Sequence, residues 1–521
     1  MLPRNLRLLI RADAGPRIGT GHLMRCMAIA QAWKGLGGQV AFACGTLPGT
    51  LENRLHQEGF LHYTMANSAG DGTDAREVSE IATAFSPDWM ILDGYQFDDH
   101  YQSRLRTPES KLMVIDDYGH GRHTCADLVL NQNAYANQNT YHHLEHDRVL
   151  AGPRFLLLRE EFAGCELAKQ EQRVAKSAKR ILVTLGGSDP ENVTLRVLQA
   201  LETIGKPELV VDAVLGAGFQ HLEEVREFKR SANLNLRIHR NVDRMSTLMT
   251  NVDLTITAGG STCYELARCG VPAMIVSIAD NQIPIAKSLN DQGIAIDCGD
   301  HTHLEEAPFA KSIAKVLRNP ELRRAMSNRG PQLVDGNGAA RTARRMAAEL
   351  YALRPATADD ADWLLSLRNE PEFRAMSFDS QAVSAASNRS WLTRILHSPD
   401  LALWIAHYKN DEPIGYVSLN VEPRGIVAEF NICLHLSERG KGHGPILIEK
   451  ASRLAFSKFG IDQIRVQIKH GTQGTQHAFQ RAGYRPIAPT VVNGQTACQM
   501  KIDRRSFDSP NVPNVGVRKS A

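Results

Sequence analysis

Over the first 350 residues, short apolar runs alternate with segments of helical character, and this alternation leaves few folds open. NLRLLI (5–10), VAFACG (40–45), WMILDG (89–94), LMVIDD (112–117) and DLVLNQ (127–132) read as buried strands, with helical stretches such as HLMRCMAIAQAWKGLG between them. Strands that are apolar on both faces and separated by helices specify a parallel sheet covered on both sides. The alternation restarts at RILVTLGG (180–187) and continues through LVVDAVLG, LNLRIH, VDLTITAGG and PAMIVSI. The predicted class is α/β, with two Rossmann-like halves over 1–165 and 166–350. REEFAGCELAKQEQRVAKSAKR (159–180) is charged and joins them as a linker or helix. Ligands of open parallel sheets bind at the carboxyl ends of strands, so a cleft between the halves is the expected site.

Near residue 350 the pattern changes. YALRPATADDADWLLSLRNEPEFRAM is a strand followed by an amphipathic helix, and ALWIAHYKNDEPIGYVSLNV is a hairpin turning at Lys409-Asn410-Asp411-Glu412. VAEFNICLHL, the loop SERGKGHGP, a helix, DQIRVQI and QHAFQRAGYRP follow. This specifies an α+β unit over 351–505. The tail, 506–521, lacks periodicity and is predicted to be disordered.

The totals are those of a globular chain: 521 residues, 43% hydrophobic, 22% charged, net charge +3. No dense Lys/Arg stripe argues for nucleic acid. No apolar run approaches the roughly 18 residues of a membrane span. The N-terminal apolar patch is too short for a signal-peptide core. The nine cysteines are scattered without a C-x-x-C pair. Reduced thiols in a cytoplasmic protein are expected, with no zinc site or other metal cluster.

Three glycine loops sit at strand ends: IGTGH with Gly19 and Gly21, LGGSDP with Gly186, Gly187 and Ser188, and TAGGST with Gly259, Gly260, Ser261 and Thr262. Such loops admit a phosphate to backbone N–H groups at a helix start. They also serve as plain strand–helix turns. None has the spacing of an ATPase phosphate loop. Glu265, one turn into the helix after TAGGST, is placed either to accept ribose hydroxyls or to complement the helix dipole. His22 directly follows a glycine loop, and an imidazole is a suitable general base near neutral pH. Phosphate binding alone does not require it.

R-A-D-x-x-x-x-I-G-x-G-H-x-x-R-C (11–26), together with LGGSDP, AGGSTCYE and ADNQ (279–282), resembles the nucleotide-sugar hydrolases of pseudaminic acid biosynthesis. The resemblance covers residues 5 to about 350. It implies the GT-B architecture shared with the MurG glycosyltransferase, and removal of UDP from UDP-2,4-diacetamido-2,4,6-trideoxy-β-L-altropyranose. It also implies that His22 activates water for inverting attack at the anomeric carbon. At a helix start the dipole disfavours a charged imidazole, so His22 is expected to be kept neutral and basic. Asp13 is expected to orient His22 or a sugar hydroxyl. Arg11 is expected among the substrate-binding residues, Tyr95 along the sugar site, and Asn281 and Gln282 at the sugar–diphosphate end. Asp93, Asp116 and Asp117 end strands and are open to structural roles as caps.

Arg439-Gly440-Lys441-Gly442-His443-Gly444, between a strand and a helix, forms a pyrophosphate-type loop. With the hairpin before it and AFQRAGYRP after it, it resembles the GNAT acetyltransferases. The resemblance implies that Arg439, Gly440, Lys441, Gly442 and Gly444 bind acetyl-CoA. LRNEPEFRAM (367–376) is similar to a segment of the pseudaminic acid N-acetyltransferase. Two positions depart from the family: Gly471 or Thr472 stands near its Asn, and Phe479 stands where a Tyr would protonate the thiolate. Glu429 is a candidate base or a solvent-facing strand residue, and His435 precedes the loop.

Together the resemblances imply consecutive steps: acetylation of the 4-amino group of a UDP-amino sugar, then hydrolysis of the product. A GT-B glycosyltransferase using a UDP-sugar donor, or a hydrolase with a non-catalytic CoA-binding module, stand as alternatives.

Overall fold

A computed structural model of the chain describes residues 6–15, 18–66, 69–165, 177–240, 242, 244–409, 412–423 and 425–508. The chain packs as two units that divide at Ala343/Arg344, inside the helix Gly338–Ala348.

The first unit holds two parallel sheets. One comprises β1 (Arg7–Ala12), β2 (Gln39–Cys44), β3 (Leu61–Thr64), β4 (Trp89–Asp93), β5 (Lys111–Ile115), β6 (Leu128–Asn131) and β7 (Val149–Ala151), in the order β3-β2-β1-β4-β5-β6-β7. The other comprises β8 (Arg180–Thr184), β9 (Val210–Leu215), β10 (Asn235–Arg240), β11 (Leu254–Ala258), β12 (Ala273–Ser277) and β13 (Ala295–Asp300), in the order β10-β9-β8-β11-β12-β13. The central strands are buried along their length, as their unbroken apolar runs require. Three strands escape the sequence pattern. β3 is a short edge strand with both faces partly exposed, β7 has three residues, and β13 is mostly half-buried.

Strand order reverses at β1, which lies between β2 and β4, and again at β8, between β9 and β11. A crevice opens beyond the carboxyl ends of strands at such a reversal. The residues following β1, β4, β8 and β11 are therefore those the fold can bring together around a ligand.

The segment after β7 crosses between the sheets. Leu156, Leu158 and Phe162 are buried with Tyr264, Leu266 and Ile275 of the second half. Residues 166–176 of the charged connector lie outside the described residues.

The second unit is one mixed sheet, β14 (Tyr351–Pro355), β15 (Leu401–Tyr408), β16 (Pro413–Val421), β17 (Val427–Leu434), β18 (Gln463–Lys469), β19 (Arg485–Pro486), β20 (Thr490–Val492) and β21 (Gln495–Asp503). Its order is β14-β15-β16-β17-β18-β21-β19, with β20 paired to β21. All pairings are antiparallel except β17–β18. That parallel ladder runs only from Val427↔Gln463 to Glu429↔Arg465, after which the two strands part. The helix His443–Phe459 crosses over between them. Residues 504–508 form a helix, with the Phe507 ring 5.4 Å from Phe456, so the predicted disorder does not begin at 506. Residues 509–521, and Asn410-Asp411 of the predicted hairpin turn, lie outside the described residues.

Trp33, on the helix Gly21–Gly35, is fully buried, and a Cβ at Gly38 would lie 2.2 Å from its Nε1. Trp33→Ala leaves a large cavity under that helix and is expected to cost about 3–5 kcal/mol, read as a lowered urea midpoint of the first unit's transition.

Candidate active site

A cleft of about 870 Å³ lies at the two reversal points of the first unit. One wall carries Gly19, Thr20, Gly21, His22, Arg25, Asp93, Tyr95 and Asp117; the other carries Gly186, Gly187, Ser188, Gly259, Gly260, Ser261, Thr262, Asn281 and Gln282. Of the positions singled out in the sequence, all of these apart from Thr20 and Arg25 are thereby brought together.

Gly15 and Gly19 exchange two backbone hydrogen bonds (3.0 and 2.7 Å), and Gly19 has φ +78°. This turn delivers the chain into the helix Gly21–Gly35, so His22 stands in the first helical turn. Its Nδ1 is 3.1 Å from Asp93 Oδ1 at the end of β4, and its side chain is 14% exposed. Arg25, about one turn further, grips the same carboxylate with Nε–Oδ2 at 2.7 Å and Nη2–Oδ1 at 2.6 Å. Its Nη1 donates to Asp117 Oδ1 at 2.7 Å. The Tyr95 hydroxyl donates to Asp117 Oδ2 at 2.8 Å. The Tyr95 ring meets His22 edge-on at 5.3 Å.

These contacts set the charges. Burial opposes ionisation of Asp93, but the charges of Arg25 and His22 outweigh it and hold its carboxyl well below the usual range. Burial likewise opposes protonation of His22 and Arg25 repels it, yet the carboxylates of Asp93 and Asp117 prevail and its pKa lies above the ordinary value. The expectation that the helix dipole keeps His22 neutral is thus corrected: the neighbouring carboxylates dominate. Burial, and then the Asp117 charge, push the Tyr95 phenol up.

Three expected substrate contacts are turned elsewhere. Arg11 is 1% exposed. It pairs with Asp13 at 2.7 Å and Asp74 at 3.0 Å, beneath the Phe97 ring. Asp13 borders the cleft, but its Oδ1 accepts from Arg11, Gly45 N–H (2.7 Å) and Thr46 N–H (3.1 Å), tying the ends of β1 and β2. The carboxylate that orients His22 is Asp93. Glu265 is not among the residues lining the cleft, and its Oε1 accepts from Arg159 at 3.1 Å. Burial raises its pKa despite that partner.

On the second wall, Gln282 Oε1 accepts from Gly259 N–H (3.1 Å) and Ile278 N–H (3.0 Å), which braces the TAGGST loop. Gly186 has φ +89°. A Cβ at Gly187 would stand 2.9 Å from Thr20 Oγ1 and 3.2 Å from Thr20 N, so the glycine loops of the two halves touch.

In the second unit, Gly440 (φ +75°) and Gly442 (φ +95°) turn the chain into the helix His443–Phe459, which begins inside the glycine motif. Arg439 donates through Nε to Leu434 O (2.9 Å) and through Nη2 to Glu370 Oε2 (3.2 Å). His435 Nε2 lies 3.4 Å from Glu370 Oε1. Lys441 pairs with Glu438 at 3.1 Å. Gly444 faces Ala478, where a Cβ would make a 3.5 Å contact. His443, 2% exposed, sits between the Tyr351 hydroxyl (2.8 Å) and Glu438 (3.2 Å). Phe479 is buried against Phe430 and Tyr484, and the Tyr484 hydroxyl is engaged by Ser452. Thr472 Oγ1 donates to Lys469 O at 2.6 Å. Burial raises the Glu429 pKa.

Residues 351–485 match the acetyltransferase (GNAT) domain family, and 180–344 match the glycosyltransferase family 28 C-terminal domain. The first unit is thus a protein of two Rossmann-type halves, the second of which matches a glycosyltransferase C-terminal domain, and the second unit matches the GNAT domain. The first part of the chain is similar to the UDP-2,4-diacetamido-2,4,6-trideoxy-β-L-altropyranose hydrolase of Campylobacter jejuni, 23% identical over 297 residues, which are 56% of this chain and 99% of that one. It is also similar to the spore coat polysaccharide biosynthesis protein SpsG of Bacillus subtilis, 26% identical over 63% of this chain and 94% of that one. An uncharacterized Methanocaldococcus jannaschii protein, MJ1062, is 25% identical over 52% of this chain, which spans about half (55%) of its length. Among the described residues no helix is long and apolar enough to cross a membrane.

A raised His22 pKa means that the Asp93–imidazolium attraction adds stability fully present below the ordinary value of about 6.5. That stability is lost as pH rises through the folded value. His22 is expected to titrate above the ordinary value by NMR and to fall in Asp93→Asn; equal titration in both proteins would remove Asp93 from this role.

Proposed function

We propose that the first unit hydrolyses UDP-2,4-diacetamido-2,4,6-trideoxy-β-L-altropyranose, and that the GNAT domain acetylates the 4-amino group of its UDP-amino sugar precursor. The observation that carries the first activity is the Asp93–His22 pair, beside its own glycine loop, facing two further glycine loops across one cleft. Asp93 accepts the Nδ1 proton, which leaves the Nε2 lone pair to take a proton from water. The oxygen of that water attacks the anomeric carbon opposite the diphosphate. The sugar C–O bond breaks, and its electron pair leaves on UDP, whose charge the loop amides meet. Tyr95 and Asn281, on opposite walls of the cleft, would shape the sugar end. The base must be neutral, so turnover rises with pH through the elevated His22 value.

In the second unit the turn at Gly440 and Gly442 presents the start of a 17-residue helix to the pyrophosphate of acetyl-CoA. Phe479 supplies no proton, so the departing thiolate takes one from another donor or from water. The match to glycosyltransferase family 28 supports a second reading, transfer of the sugar to an acceptor.

UDP release from the UDP-4-amino sugar is expected only with acetyl-CoA present. His22→Asn is expected to reduce release from the diacetamido sugar by about 10²–10⁴, while acetylation of the amino sugar continues. Release that needs an added acceptor would favour the glycosyltransferase. Failure of both reactions with wild-type protein would overturn the proposal, and CoA binding without acetyl transfer would reduce the GNAT unit to a binding module.

A further inference from the structure

The fold assembles two groups of histidines and carboxylates that no sequence spacing announces. One is Asp116, His120 and His123, the other Glu52, His56 and His62. Their hydrogen bonds separate them. Gln102 Nε2 donates to Phe97 O at 2.9 Å, so it is the amino end of that amide that meets His123 Nδ1 at 2.8 Å. His123 Nδ1 is therefore an acceptor, and Nε2 carries the proton given to Asp116 Oδ2 at 2.9 Å. Asp116 Oδ1 takes the N–H groups of Tyr118, Gly119 and His120 together with His120 Nδ1. Both Asp116 oxygens and both His123 ring nitrogens are thus engaged by protein groups, and of this cluster's ring nitrogens His120 Nε2 alone is buried without a partner.

The second group lacks such partners. Glu52 and His56 stand one turn apart on the helix Gly49–Gln57, and His62 is on β3, the edge strand beside it. The i, i+4 spacing puts the first two on one face of the helix. One ligand atom from each of the three residues lies within 4.8 Å of the others. Glu52 Oε1 and His62 Nδ1 are 3.3 Å apart, roughly the donor separation that bonds of about 2.1 Å give at a tetrahedral ion. The His62 side chain is 5% exposed, and its Nε2 is buried without a partner. Among the described residues no other side-chain hydrogen bond or ion pair engages these three groups.

We propose that Glu52, His56 and His62 bind a divalent transition-metal ion of the zinc type, which clamps the helix to the edge strand. Two imidazoles and a carboxylate suit that class and disfavour calcium or magnesium, which prefer all-oxygen shells. The site stands apart from the cleft and bears on stability, not on the proposed reactions. It corrects the expectation that no ligand cluster exists: the third ligand comes from the next strand, and only folding brings it in.

The test is titration of tag-free, chelator-stripped full-length protein with Co²⁺, followed by visible d–d absorption and by competition with Zn²⁺. One ion per chain, displaced by zinc, is expected, with Zn²⁺ raising the melting temperature by mass action. His56→Ala and Glu52→Gln alter exposed or half-exposed side chains, so folding is retained. Each is expected to weaken binding by more than about tenfold and to abolish the thermal shift, whereas His120→Gln leaves both intact. Absence of the d–d bands, binding unchanged in His56→Ala, or binding lost in His120→Gln would each overturn the assignment.

Discussion

The cleft depends on one buried carboxylate. Asp93, with no exposed side-chain surface, is held by a two-point grip from Arg25 and a contact from His22. Both partners stand on the same helix, about one turn apart, so the carboxylate fixes that helix against the end of β4. Removing either charge would strand the other in a medium that solvates it poorly, a far larger penalty than loss of a surface pair. The grip then propagates: Arg25 reaches Asp117 after β5, and Asp117 takes the Tyr95 hydroxyl, whose ring meets His22. A single ion pair thus coordinates the ends of two strands and the start of a helix.

What the sequence discloses is what proximity along the chain determines. Unbroken apolar runs expose the central strands, and glycines between strand and helix expose the loops. His22 is visible because its glycine turn is local. Its partner is not, since Asp93 lies 71 residues away and looks like any aspartate ending a strand. The i, i+3 spacing of His22 and Arg25 is the one local sign that both could reach a common acceptor.

The misplaced assignments share that cause. Arg11, Asp13 and Glu265 are polar residues at strand or helix ends beside glycine loops, where a ligand contact is the natural expectation. Arg11 and Asp13 pair with each other, but their further partners and that of Glu265 come from afar: Asp74 is 63 residues from Arg11, Gly45 is 32 from Asp13, and Arg159 is 106 from Glu265. Short or half-exposed strands such as β3 and β13 fade for a different reason, because a few residues with mixed burial carry no clear period. Phe479 was legible as a departure from a pattern, but only its packing against Phe430 and Tyr484 shows that the ring belongs to the core.

The parting of β17 from β18 after three residue pairs gives the second unit an uncommon property. Sheet edges normally lie at the margins, where proteins shorten them, charge them or cover them so that strangers do not add a strand. Here an edge is opened in the interior, between two strands that each keep a neighbour on their other side. The backbone along that opening has the hydrogen-bonding capacity of a sheet margin while remaining walled in by the sheet itself.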